Sequence, residues 1–342
     1  MNPYYDRTKP HHTPDGFRDP QATLHKVSLA TVLKWRWRAW RQGLPPAAKV
    51  PTPVVAPALD RLNAAAGSSA TWIGHSSMLV RSGGLNVLTD PVFSHRASPL
   101  PYLGPRRAVP PGIAFDDLPP VDVVLISHGH YDHLDRRSIE RLAARAPDTL
   151  FVAPLGFRPL LNAWGARNVV ELDWWQGHVH GGVEFVLTPA RHWTARSLGD
   201  RNRMLWGAYA VFARDLVWYF SGDSGYGEHF VTTGQRFAHR ARNGALFDLA
   251  LLAIGAYEPR WFMQHHHMNP EDAVRAHREL MARQSIGIHW GTFPLTDEAL
   301  DEPPRRLIEA RRAAGLGDGA FLTLSVGETW WPAATENPAA GL

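Results

Sequence analysis

The sequence predicts a layered α/β domain over residues 70–332, preceded by an arm of residues 1–69 and followed by a loose tail of residues 333–342. Three observations carry this expectation. Hydrophobic residues make up 44% of the 342 residues and charged residues 20%, enough apolar material for a sizeable core. From residue 70 onward, short apolar runs of β type recur between Gly, Pro and Asp turns. Helical patterns fall between several of these runs.

The arm is rich in proline and has no acid between Asp19 and Asp60. Inside it, LATVLKWRWRAWRQGLPP alternates Lys34, Arg36, Arg38 and Arg41 with Trp35, Trp37 and Trp40. A helix is expected over residues 28–41, stopped by Gly43 and Pro45. Cations interleaved with indoles suit an anionic lipid surface. They equally suit an arm whose tryptophans pack on the main domain. A nucleic-acid backbone is the less favoured third reading.

The expected strands then run in order: ATWIG, SMLVR, LNVLTD, VDVVLIS, TLFVAP, NVVELD, VEFVLTP, AYAVFA, LVWYFSGD, LALLAIG and SIGIH. VDVVLIS is apolar without alternation, as a strand buried on both faces should be. Helices are expected near residues 136–146, 156–165, 229–242, 270–283 and 303–314. The fourth has a clear start: Asn269-Pro270, then Glu271 and Asp272 in its first turn.

Several classes are excluded or disfavoured. The chain has no cysteine, which rules out disulfides, thiolate metal sites and a cysteine nucleophile. Its start, MNPYYDRTKP, lacks a signal-peptide pattern. The longest apolar run, FDLALLAIGA, is about half of the ~20 residues a spanning helix needs. The expectation is a cytoplasmic protein, with peripheral membrane contact through residues 28–41 left open. The net charge of +4 permits anionic partners without demanding them. The oligomeric state is not fixed by the sequence, and a homodimer is compatible with it.

The chemistry concentrates in ISHGHYDHLD, where His128, His130, Asp132 and His133 follow the buried strand directly. His128 and His130 are two apart and share a side in extended chain, whereas Asp132 and His133 fall in the turn. One metal can take the first pair and a second metal the other. Divalent metals need about four to six ligands, so donors are expected at other strand ends. His192 closes VEFVLTPARH, Asp223 closes LVWYFSGD, and His289 ends SIGIH.

With these residues in place, the sequence resembles the metallo-β-lactamase-fold hydrolases. The resemblance implies a four-layer αβ/βα sandwich with an N-terminal extension and a two-metal site at the edge of the inner sheets. It gives one metal to His128, His130 and His192, the other to Asp132, His133 and His289, with Asp223 bridging. Zinc is the expected metal, and iron or manganese would accept the same ligands. TWIGHSS, LTDPVFSHRASP, YLGPRR, ELDWW, TPARHW, GDSGY, IGAYEPRWFM and IHWGTF narrow the likeness over roughly residues 70–305. They resemble the branch containing N-acylphosphatidylethanolamine-hydrolysing phospholipase D. That branch implies cleavage of the distal phosphodiester to phosphatidic acid and an N-acylethanolamine.

The expected chemistry follows. Two cations ~3.5–4 Å apart lower the pKa of a shared water and hold it as a bridging hydroxide nucleophile. They also offset the charge of the phosphodiester. Asp132 is expected to orient the hydroxide besides ligating. His267 is expected to protonate the leaving alkoxide or to bind a phosphate oxygen, a structural role being the third reading. Before the stretch MNPEDAV the family has a Gln-His pair, whereas this chain reads HHHMNPEDAV, with His266 at the Gln position and His267 at the His position.

His266, His267, Trp193 and Trp290 are the candidate substrate-binding residues, and His75 and Asp90 are expected to orient ligands. Trp174, Trp175 and Trp261 are further candidates for the pocket wall. Arg106 and Arg107 are read as surface residues ahead of a phosphate-binding role, and His11 and His12 as unrelated to the site. The leading function is hydrolysis of a phospholipid or other small phosphodiester. The alternatives are another ester, lactone or nucleotide substrate on the same site, and a non-enzymatic metal-stabilised scaffold.

Overall fold

The computed structural model describes residues 2–21, 29–64 and 67–332. The expected tail of residues 333–342 lies outside them. A hairpin of β1 (His12–Thr13) and β2 (Gly16–Phe17) is followed by α1 (Leu29–Gln42) and α2 (Leu59–Ala64). Next come β3 (Ser69–Gly74), β4 (Ser77–Ser82), β5 (Leu85–Thr89), β6 (Val123–Leu125), α3 (Arg136–Arg145), β7 (Leu150–Pro154), α4 (Arg158–Ala163) and β8 (Asn168–Leu172). The second half contains β9 (Gly177–His180), β10 (Val183–Thr188), β11 (Ala208–Phe212), β12 (Val217–Phe220), α5 (His229–Phe237), β13 (Phe247–Ala253) and α6 (Arg260–Met263). It closes with α7 (Pro270–Glu279), β14 (Ala282–Ile288), α8 (Glu302–Ala313), β15 (Phe321–Leu322) and β16 (Thr329–Trp330).

Two seven-stranded mixed sheets result, ordered β16-β3-β4-β5-β6-β7-β8 and β15-β14-β13-β12-β11-β10-β9. In the first, β5 to β8 run parallel; in the second, β12 to β15 do. Val123 and Leu125 of β6 point into the core between the sheets, while Val124 and Ile126 pack with Ile139, Leu142 and Leu161 of α3 and α4. A strand covered on both faces has no polar face to show, hence the continuous apolar run. Phe230, Val274 and Leu307 of α5, α7 and α8 cover the second sheet, so helices flank both sheets.

All eleven expected strands form, with shifted ends. The fourth expected helix is shorter than its pattern. Residues 280–283 leave the helix because Met281 takes a φ of 51° and Ala282 already begins β14. The third ends at Phe237 and gives way to a 3-10 turn over Ala238–Arg240. The arm helix starts at Leu29, residue 28 lying outside the described residues. No helix among the described residues is long and apolar enough to cross a membrane.

The beginning of the chain is woven into the domain. Phe17 belongs to the main core. Just past β8, Asp173 is 1% exposed and takes Lys9 Nζ at 2.5 Å, His11 Nε2 at 2.7 Å and His12 Nε2 at 3.0 Å. Burial would raise the Asp173 pKa, but the contacts from His11 and Lys9 outweigh it and hold the carboxyl below its ordinary range. His11 also stacks on Trp174 at 4.3 Å. His11 and His12 are thus fastenings of the N-terminal segment. Asp173→Ala leaves Lys9, His11 and His12 without their shared carboxylate and should cost on the order of 3 kcal/mol. A lower thermal-unfolding midpoint checks this; an unchanged midpoint removes the fastening role.

Of the arm tryptophans, Trp35 packs inward, with Nε1 donating to Asp297 at 2.6 Å and its ring against Phe262. Trp37 and Trp40 are 56% and 77% exposed.

Candidate metal centre and active site

Six strands deliver the site, all at their C-terminal ends. His75 follows β3, Asp90 follows β5, His128 comes just past β6, His192 past β10, Asp223 past β12 and His289 directly after β14. His75, Asp90 and His289 hold φ angles of 54°, 33° and 63°, which are unfavourable for side chains with a Cβ. Such strain persists where the surroundings over-determine a functional geometry. Gly222, also left-handed, lets the β12 end approach Ser127; a Cβ there would lie 2.5 Å from the Ser127 Cβ.

Three imidazoles converge first. His128 Nε2 lies 2.9 Å from His130 Nδ1, and His192 Nε2 lies 3.1 Å from the same atom. The partners of the opposite ring nitrogens assign the tautomers. His192 Nδ1 faces the carbonyl oxygen of His266 at 3.0 Å and must carry its proton there. Ser127 Oγ donates to Asp90 at 2.5 Å, so it accepts from His128 Nδ1 at 2.9 Å. His128 and His192 therefore both turn bare Nε2 lone pairs toward His130. One proton cannot satisfy three such nitrogens; a cation can.

The second group forms around Asp132 and His133. His133 Nδ1 gives its proton to Asp90 at 2.7 Å. Its Nε2 then faces Asp223 at 3.1 Å and Asp132 at 3.5 Å without making a hydrogen bond. His289 Nε2 lies 3.1 Å from Asp223 Oδ1 and 3.4 Å from Asp132, likewise without a hydrogen bond. His75 Nε2 meets Asp132 at 3.0 Å. Asp223 reaches both groups, its Oδ2 standing 3.8 Å from His128 and from His192. His75, Asp132, His133 and His289 offer donor atoms within 4.8 Å of one another, as do His128, His130 and His192.

Electrostatics repeat the pattern. Burial lowers the pKa of His128 and His192 well below the ordinary value and that of His130 to about 4. At His133 burial acts the same way, but Asp223 and Asp132 outweigh it and raise the pKa. His289 rises to about 9, again with Asp223 overcoming burial. Asp132 and Asp223 thus favour positive charge at His133 and His289, whether carried by a proton or by a cation. The orphaned atoms and the donor chemistry fit divalent cations.

The seven sequence-predicted donors are brought together. His75 and Asp90 are there as well, His75 beside the donors themselves and Asp90 behind His133. His267 is buried, with Nδ1 3.8 Å from Asp223 and its ring 5.1 Å from His192. His266 backs His192 through its carbonyl. Trp193 lies against His130, ring centroids 4.4 Å apart.

Trp290 is a correction. It is 5% exposed, stacks on Trp72 at 4.9 Å and donates Nε1–H to Gly287, so its side chain belongs to the core and not to a substrate wall. Trp174 and Trp175 are also committed elsewhere, to His11 and Trp206 and to Arg236. Arg107 is buried, not at the surface, and donates to the Val92 and Ser94 carbonyls.

Sequence reasoning missed Ser127, whose signal was its place directly before the first histidine. It also missed Arg196. That side chain donates to the carbonyls of Gly129 and Leu134, both at 2.8 Å, and so braces the loop carrying His130, Asp132 and His133.

Fold and donor set define a class, the metal-dependent hydrolases built on two mixed sheets with metal ligands at their strand ends. The beta-lactamase superfamily domain matches residues 85–290, and the chain belongs to that superfamily. Its relatives narrow the comparison. The chain is similar to N-acyl-phosphatidylethanolamine-hydrolyzing phospholipase D 1 of Caenorhabditis elegans, 39% identical over 79% of this chain and 78% of the relative. It is 40% identical to an uncharacterized protein of Mycobacterium tuberculosis, over 84% of this chain and 75% of the other. In fold it matches an isothiocyanate hydrolase from Delia radicum gut bacteria, with TM-score 0.60, 21% identity, and coverage of 77% of this chain and 98% of that one.

Proposed function

We propose that this protein is a two-cation phosphodiesterase of phospholipase D type. Its substrates would be N-acylphosphatidylethanolamine-like phospholipids, its products phosphatidic acid and an N-acylethanolamine. The observation that carries the reading is the 39% identity to the nematode phospholipase over 79% of this chain. The donor set at the strand ends supports it.

His128, His130 and His192 would hold one cation, Asp132, His133 and His289 the other, with Asp223 shared between them. Zinc is the expected occupant. Bound there, such ions would acidify a shared water and offset the charge that builds up on a phosphodiester. Asp90 and Ser127 fix the rings of His133 and His128, so that two donors are aimed before substrate arrives. Asp132 would accept a hydrogen bond from the attacking water. His267 faces Asp223 from the segment after α6 and would bond a phosphate oxygen or the departing alkoxide.

The deciding experiment follows phosphatidic acid release from N-acylphosphatidylethanolamine in mixed micelles, with zinc-loaded protein and Asp223→Ala as the blank. Release above the blank supports the reading. No release above it leaves the hydrolase and overturns this substrate. In the same assay, near-wild-type turnover by His267→Ala would remove the role given to His267.

A lipid substrate needs a way to the site. α1 exposes Leu33, Trp37 and Trp40 together with Lys34, Arg38 and Arg41, the composition of an interfacial helix. Between α1 and the 258–302 region lies a cleft of about 620 Å³, lined by Lys34, Trp35, Arg38, Trp261, Glu258 and Asp297. The segment from Pro259 to His267 leads from this cleft to the site, with Arg260 donating to the His267 carbonyl at 3.0 Å. Binding to anionic liposomes should be weakened by salt. It should fall at least about tenfold in Trp37→Ser/Trp40→Ser. Equal binding by that variant would remove the membrane role.

A further inference from the structure

Arg201 is a cation beside the site with no acid of its own; no ion pair joins it to a carboxylate among the described residues. Its guanidinium carbon lies 4.0 Å from the centroid of the Trp193 ring. Trp193 in turn contacts His130, ring centroids 4.4 Å apart, and its ring stands 6.3 Å from that of His266. Arg201 is thus one indole away from a predicted metal ligand.

The backbone on either side is pinned. Asp200 Oδ1 accepts from the amides of Arg196 and Ser197 at 2.9 and 2.8 Å. Asn202, at a φ of 57°, exchanges hydrogen bonds with Thr194 and accepts from the Phe17 amide at 2.8 Å. A Cβ on Gly16 would lie 2.2 Å from the Asn202 carbonyl oxygen, so the β1–β2 hairpin presses directly on this turn. An arginine on so braced a turn, stacked on an indole, keeps its in-plane N–H groups free. That fork suits two oxygens of one phosphate.

We propose that Arg201 is the anion-recognition residue of this site, receiving the non-reacting charge of a phosphodiester and so favouring anionic over neutral substrates. The inference rests on the phosphodiesterase reading and names its specificity element.

The test uses the cation-loaded full chain with bis(p-nitrophenyl) phosphate as the anionic substrate, p-nitrophenyl acetate as the neutral one, and inorganic phosphate as the binding probe. Arg201→Gln should lower kcat/KM for the diester about 10- to 100-fold. That loss should exceed the loss on the acetate at least about tenfold. Arg201→Lys should recover part of it, keeping the charge without the fork. Phosphate affinity should fall at least about tenfold in Arg201→Gln. Equal losses on both substrates, or no loss on either, would overturn the proposal. Wild-type turnover of the acetate but of no diester would sink the phosphodiesterase reading separately. The phosphate arm then still decides Arg201, because Arg201→Gln binding phosphate as tightly as wild type overturns it.

Discussion

Asp223→Ala should abolish hydrolysis, by at least ~10³-fold, and should lose bound cations. Asp223 faces ring nitrogens of both donor groups. Its oxygens stand 3.1 Å from His133 and His289 and 3.8 Å from His128 and His192. Without it the two groups lose the carboxylate that faces them both, and His133 and His289 lose the anion that most favours positive charge there. Metal analysis of the purified variant should give fewer than two cations per chain. Circular dichroism and an unfolding midpoint establish that it folds. A folded Asp223→Ala protein within tenfold of wild-type turnover would show that the site has been misread.

The second large effect is expected at Asp90, which touches no substrate. Asp90 accepts from His133 Nδ1 at 2.7 Å and from the Ser127 amide and hydroxyl at 2.7 and 2.5 Å. The same hydroxyl receives His128 Nδ1. One carboxylate therefore sets a ring in each donor group, His133 directly and His128 through Ser127. In Asp90→Asn, an amide cannot accept from all of these donors. Cation affinity should fall about 10- to 100-fold. Excess cation should restore much of the turnover, since the ligands themselves remain. Unchanged affinity in a cation titration would remove the positioning role.

The two predictions differ in how far the sequence foreshadowed them. Asp223 was legible because histidine and aspartate at a strand end carry their chemistry in their type, and four apolar runs ended that way. VDVVLIS announced its double burial in the same direct manner. Asp90 could be marked only as a residue after a β-type run. Its link to His133 spans 43 residues, and its link to His128 passes through a serine. Trp290 shows the opposite failure. Its place beside His289 suggested a pocket wall, but the left-handed turn at His289 sends the indole into the core against Trp72. β9, β15 and β16 went unseen because they are four, two and two residues long, and GHVH has few apolar positions. Arg201 gave no signal, since its meaning lies in the ring beneath it and the turn behind it.

The fastening of residues 2–17 has a consequence for how the molecule is assembled. Lys9 and His11 are separated from Asp173 by 164 and 162 residues, and Tyr4 from Glu171 by 167. A ribosome completes the N-terminal segment long before any of these partners has been synthesised. The partner of Phe17, Asn202, emerges later still. The segment must therefore wait unpaired until residues 171–173 and 202 have emerged. Closing so long a loop costs little more than closing one half its length, but it comes late. The turn that carries Arg201 gains its backing only when the β1–β2 hairpin docks on Asn202.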